Sequence, residues 1–138
     1  MKLILIYGEQ GVGKTTACIK IMKILHTLDA QVLLYSEMFD EDFKAVVRYA
    51  GKRIAIYSPG DECGHLKEAI QFGNDKDCDC LIAAVRKGTH YNTVLPEPAE
   101  DNRPDWIELD TSEDLYDKIL KVNDVALEII VKLSSAEI

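Results

Sequence analysis

Apolar residues along the chain follow two alternating rhythms: short unbroken runs, and longer stretches in which they recur every three or four positions. Leu3-Ile4-Leu5-Ile6-Tyr7 is the first run, and its lack of polar interruption predicts a strand covered on both faces. Ala17, Ile21, Ile24 and Leu28 then fall at helical spacing and predict a helix ending near Asp29. Residues 31–36, with Val32-Leu33-Leu34-Tyr35 at their centre, predict a second strand. Phe39, Phe43, Val46, Val47 and Ala50 repeat the helical stripe, and Gly51 stands where a helix C-terminus favours glycine, so a second helix is expected over this stretch. Arg53-Ile54-Ala55-Ile56-Tyr57 predicts a third strand stopped by Ser58-Pro59-Gly60. Leu66, Ala69 and Ile70 predict a short helix ending at Gly73, and Leu81-Ile82-Ala83-Ala84-Val85 a fourth strand.

Residues 86 to 104 hold three of the four prolines and no sustained period, and a run of that length points to a mobile flap. Trp106 to Leu109 predicts a fifth strand. Leu115, Ile119, Val122, Ala126, Ile129 and Leu133 then mark a long amphipathic helix, opened by Thr111 with Asp114 three residues on. Apolar strands alternating with helices predict one α/β domain over residues 1–138. The expected architecture is three-layer, with a five-stranded parallel sheet in the order second, third, first, fourth, fifth strand. The first strand is placed in the middle because its sequence demands cover on both faces.

In such sheets ligands sit beyond the carboxyl ends of the strands. The residues there are Gly8 to Thr15, Ser36 to Asp40, Ser58 to Glu62, Arg86 to Tyr91 and Asp110 to Ser112. The first cluster, Gly8-Glu9-Gln10-Gly11-Val12-Gly13-Lys14-Thr15 followed by Thr16, carries the strongest chemistry. Glycines let the backbone curl so that successive N–H groups point into one anion-sized hollow, and a helix opening at about Gly13 adds its unpaired N–H groups and positive dipole end. Lys14 supplies a point charge for β and γ phosphates, and the Thr15 hydroxyl is placed to ligate Mg²⁺.

On these residues the chain resembles the P-loop NTPase superfamily over positions 3 to about 29, and its layout resembles small nucleoside and nucleotide kinases. The resemblance implies the P-loop NTPase fold, ATP and Mg²⁺ as cofactors, and a purine nucleoside triphosphate as ligand. In that family a second acidic group stands near the metal at the end of a strand beside the first. Here Ser58 holds the position, and Asp61 is the nearest carboxylate, either a metal ligand or part of a simple Pro-Gly-Asp turn. Kinases of this layout place an acidic residue after the second strand as general base, which corresponds to Glu37. They also carry a cationic lid after the fourth strand, which corresponds to Arg86, while Arg103 sits among acids that can pair with it and His90 and Tyr91 pack either against a base or against the protein. Other branches fit less well: there is no Asn-Lys-x-Asp motif for reading guanine, and Glu9 stands where partition ATPases carry lysine. The expected function is a small kinase transferring phosphate from Mg-ATP to a nucleotide-like or other small acceptor. The alternative is a nucleotide-dependent switch or slow ATPase acting on a protein partner.

Charge and cysteine usage narrow the picture. At 138 residues, with 47% hydrophobic and 29% charged positions, the chain is expected to fold rather than to be disordered. A net charge of −8 argues against general nucleic-acid binding, which needs a basic footprint. Acidic residues crowd positions 97 to 128, a solvated face or a docking surface for a basic partner. Cys63-Gly64-His65 and Cys78-Asp79-Cys80 lack the two to four intervening residues of common zinc sites, so Cys18 and Cys80 read as core thiols of a reduced compartment. No apolar stretch is long enough to span a bilayer and no cleavable leader opens the chain, so a cytoplasmic, non-membrane protein is expected.

Overall fold

The N-terminal apolar run forms strand β1 (Lys2–Gly8), with Leu3 to Ile6 buried. The computed structural model describes residues 1–9, 11–87, 104–110 and 112–135. After β1 come α1 (Lys14–Thr27), β2 (Gln31–Glu37), β3 (Phe43–Tyr49), β4 (Lys52–Tyr57), α2 (Cys63–Asp75), β5 (Cys80–Arg86), β6 (Asp105–Glu108) and α3 (Leu115–Ser134). One sheet holds six strands in the order β2-β3-β4-β5-β1-β6. Its β4, β5, β1 and β6 run parallel, whereas β2, β3 and β4 are joined antiparallel.

The expected five-stranded parallel sheet of the P-loop NTPase fold is therefore corrected on three points: strand number, strand direction and strand order. The first two have one cause. Residues 43–49, part of the expected second helix, are a strand. Phe43, Ala45 and Val47 face one side of the sheet and Val46 the other, all buried. A strand buried on both faces has too few polar positions to show its period of two, and its spacing then imitates a helix. Gly51 is not a helix cap. Tyr49 pairs with Lys52, leaving Ala50 (φ 52°) and Gly51 (φ 75°) as the two central residues of a tight hairpin. Positive φ at both positions matches the right-handed twist of the strands it joins. Phe39, the first member of the imagined stripe, is 86% exposed.

The order differs because β5 lies between β4 and β1, with Ile82 beside both Ile4 and Ile56. The runs at 3–7 and 81–85 are equally apolar, so composition gave no reason to seat the later one nearer the middle. β5 is buried continuously from Cys80 to Val85. α1 and α3 cover one face of the sheet through Ile4, Ile6, Ile54, Ile56 and Ile82, and α2 covers the other through Leu3, Leu5, Ala55, Leu81 and Ala83. Cys18 and Cys80 sit in the first cluster, where desolvation pushes both thiols up to about 12. The last helix starts later than expected: Asp114 is its cap and accepts from the Tyr116 N–H, while Thr111 lies outside the described residues. Residues 88–103, which contain His90, Tyr91, Arg103 and most of the expected flap, also lie outside them. Among the described residues no helix is long and apolar enough to cross a membrane.

The hairpin gives a direct stability test. Nothing lies within 4 Å of a Cβ built on Gly51, so a side chain there meets only the conformational cost of positive φ. Gly51→Val is expected to destabilise the fold by about 1–3 kcal/mol, and Ala50→Gly to stabilise it by about 1 kcal/mol, both read from urea unfolding midpoints.

Candidate phosphate-binding site

β1 ends at Gly8, packed so closely under the chain leaving β6 that a Cβ would collide with the Leu109 carbonyl. The chain then turns through Gly11 and Gly13, both at positive φ, into α1, whose N-terminus carries no side-chain cap. The first-turn N–H groups and the positive dipole end are left for another anion. A cleft of about 360 Å³ opens there, lined by Gly11, Gly13, Lys14, Thr15, Thr16, Ser58, Gly60, Asp61 and Lys118. Val12 turns inward to the core, and Glu9 contributes its backbone carbonyl. Gln10 lies outside the described residues.

Lys14 is 5% exposed. Its ammonium donates to the Gly8 carbonyl at 3.1 Å and the Glu9 carbonyl at 2.7 Å, and lies 3.4 Å from Asp61 Oδ1. Desolvation lowers its pKa below the ordinary value, Asp61 opposes that shift, and the nearby charge of Arg86 adds to it. A bound phosphate would relieve the same desolvation.

Asp61 reaches Lys14 although β4 and β1 are not neighbours. After β4 the chain crosses over the carboxyl end of β5, where the Arg86 N–H donates to the Gly60 carbonyl at 2.8 Å. The crossing is so close that a Cβ on Gly60 would collide with the Ala84 carbonyl. What read as a Pro-Gly-Asp turn is thus a strap that carries a carboxylate to the lysine.

Asp42, not singled out from the sequence, completes the group. Its Oδ1 accepts from the Thr15 hydroxyl at 3.1 Å and the Ser58 hydroxyl at 2.8 Å. Ser58 is 1% exposed, and its oxygen also accepts from the Phe43 N–H at 2.9 Å. Asp42 stands immediately before β3, so the strand that was mistaken for a helix brings it here. A carboxylate flanking a strand end was the available signal.

The remaining expectations divide. Arg86 ends β5, close enough to Lys14 to act on its charge. Glu37 ends the edge strand β2, paired with Phe43, exposed, and absent from the lining of the cleft. Glu37 thus stands apart from the cleft, and Asp42 rather than Asp61 accepts from the Thr15 hydroxyl. Lys118, also missed, reaches from α3 to donate to the Gly11 carbonyl at 2.7 Å.

If the strap is what positions Asp61, Gly60→Ala should act on both stability and site. The expected result is a loss of about 1–3 kcal/mol in chemical unfolding together with weaker binding of inorganic triphosphate, whereas Gly64→Ala, where nothing lies within 4 Å of the added Cβ, should leave binding unchanged.

Compared with known protein families, with curated protein sequences and with solved structures, the chain matches none.

Proposed function

We propose that this protein binds a Mg²⁺-nucleoside triphosphate in the cleft at Gly8 to Thr16 and hydrolyses it slowly as a switch acting on a protein partner. The observation that supports this most is the convergence of Lys14, the uncapped α1 N-terminus and the Thr15–Asp42–Ser58 hydrogen bonds in one cleft. The donor chemistry fits a hard cation. The Thr15 hydroxyl donates a hydrogen bond to Asp42, which leaves its oxygen lone pairs free to act as a ligand, and Asp42 and Asp61 offer carboxylates. Among the described residues no cluster of three or more His, Cys, Asp or Glu forms a protein-only cage. That suits Mg²⁺, which is ordinarily held by one or two carboxylates together with substrate phosphates. When bound, the ion neutralises charge across the β and γ phosphates.

Lys14 then positions the γ phosphate, exchanging its contact with Asp61 for one with phosphate oxygen. The α1 N–H groups hold the β phosphate. Asp61, which stands 3.4 Å from the Lys14 ammonium, would then be free to orient water at the γ phosphate. Hydrolysis is favoured over transfer to a small acceptor because Glu37, the acceptor's expected base, does not line the cleft.

Calorimetry with Mg-ATP provides the test. Lys14→Ala should weaken binding by about 10- to 100-fold, the ~1.5–3 kcal/mol of hydrogen bonds to a charged group. Asp42→Asn should retain metal-free nucleotide binding and lose most of the gain that Mg²⁺ confers. Equal binding by wild type and Lys14→Ala sinks the proposal, and turnover that depends on an added nucleoside or nucleotide replaces the switch by a kinase.

The direction of the Lys14 shift sets a pH dependence. The folded chain holds this proton less tightly than the unfolded chain, so this group's contribution to stability rises with pH between its lowered value and 10.5. Bound phosphate favours the charged form, so nucleotide affinity should fall as pH rises above that lowered value, with proton uptake on binding. Calorimetry in buffers of different ionisation enthalpy measures the uptake, and Lys14→Met should abolish it.

A further inference from the structure

The last helix carries two apolar stripes, and the core uses one of them. Val122, Val125, Ala126, Ile129, Ile130 and Leu133 of α3 are buried in the cluster that α1 and the sheet share. Tyr116, Leu120, Leu127 and Val131 form the other stripe, and all four are exposed, Tyr116 at 69% and Val131 at 70%. At about 100° of turn per residue these four share an arc of roughly 60°, centred roughly 140° away from the buried stripe. Single exposed apolar residues are ordinary on a protein surface, but four in register along one helix make a seam that marks an interaction surface. None of the four lines the phosphate cleft.

We infer that this seam is covered by a second copy of the same chain, with the two α3 helices packed antiparallel about a two-fold axis. The charges beside the seam carry the choice of occupant. Asp117, Lys121, Glu128 and Lys132 lie along one flank of it, in the order minus, plus, minus, plus. When two copies of one helix lie antiparallel about a two-fold axis, each flank meets the same flank of the other copy with its sequence reversed. An axis beside residues 123 and 124 sets Tyr116 against Val131 and Leu120 against Leu127 of the second copy. The same axis sets Asp117 beside Lys132 and Lys121 beside Glu128, so every flank contact joins opposite charges. The apolar pairs centre one residue before the charged pairs, an offset of about 1.5 Å that a lysine side chain spans easily. Parallel packing would instead set each charge against its own like.

Charges within one copy leave room for these contacts. Lys121 lies 3.3 Å from Asp117 and Lys132 lies 3.6 Å from Asp105, so each cation would be shared rather than newly desolvated. Glu128 is exposed and, among the described residues, is in no ion pair of its own. A net charge of −8 makes two copies repel at a distance, but that field is screened over about 8 Å at physiological salt, so the local pairs decide at contact. Asp124, exposed at the edge of the seam beside the axis, meets its own counterpart there, and that like-charge contact keeps the association weak. The seam runs roughly 22 Å along α3, which places the interface at the small end of specific contacts, under about 1,200 Å² in total. The expected dissociation constant is on the order of 10 µM.

Sedimentation velocity over about 1–200 µM tests this, and the wild type should pass from monomer to dimer across that range. Leu127→Asp, at an exposed position and checked for folding by circular dichroism melting, should raise the midpoint at least about tenfold, and Asp124→Ala should lower it about three- to tenfold. Lys121→Glu and Glu128→Lys, each alone, bring like charges together at both symmetric contacts and should each weaken the dimer about tenfold. An equimolar mixture of these two variants restores opposite charges at both contacts and should dimerise as the wild type does. An effect of either substitution on its own helix would not be mended by mixing. If wild type and Asp124→Ala both stay monomeric to the top of the range, the second copy is ruled out and the seam belongs to a different protein. A dimer indifferent to Leu127→Asp puts the interface elsewhere, and a mixture no better than its parts overturns the antiparallel pairing.

Discussion

Two backbone crossings at one rim of the sheet hold the candidate site together. The strap at Gly60 runs over the carboxyl end of β5, and the chain leaving β6 runs over the end of β1 at Gly8. Both crossings replace side-chain packing by hydrogen bonds between main chains: the Arg86 N–H to the Gly60 carbonyl, and the Leu109 N–H to the Tyr7 carbonyl. A rim built in this way leaves room for few side chains, and those that remain gather in two groups, Lys14 with Asp61 and Thr15 and Ser58 with Asp42.

That crowding explains the electrostatics. Lys14 is desolvated and gives up its proton more readily than usual, yet its three N–H donors meet two carbonyls and one carboxylate. Asp42 shares one oxygen between two hydroxyl groups, and Ser58 in turn is pinned by the Phe43 N–H. Lys14 and Thr15 are fixed by the first turn of α1, and Asp42 and Ser58 by the ends of β3 and β4, so the arrangement exists before any ligand arrives, and little ordering is left to oppose binding.

Much of this was legible in the sequence, for reasons that can be traced. The 8–16 loop carries its own chemistry in consecutive residues, and its context of apolar strand and amphipathic helix is local; the helices at 63–75 and 115–134 were likewise marked by one-sided periodicity. Residues 43–49 failed because burial on both faces erases the alternation by which a strand is recognised. That single error hid Asp42, since a residue expected inside a helix was not examined as a strand terminus. The position of β5 failed for another reason. Which of two equally apolar strands is more central depends on where α2 packs, a tertiary fact with no local signal. Asp61 was found and its route was not, because the crossing over Ala84 depends on that same order.

The sheet joins β1 to partners far away along the chain: Ile4 lies beside Ile82 on one side and Asp105 on the other. The antiparallel β2, β3 and β4, by contrast, are linked by short hairpins. Local pairings close quickly and distant ones slowly, because the intervening chain must first give up its freedom. Folding is therefore expected to begin at the edge away from the 8–16 loop and to reach that loop last, when β5 and then β6 dock against β1. On a ribosome the 8–16 loop would wait for the turn of α3 that carries Lys118 and Val122, more than a hundred residues later in the chain, before it acquired its shape.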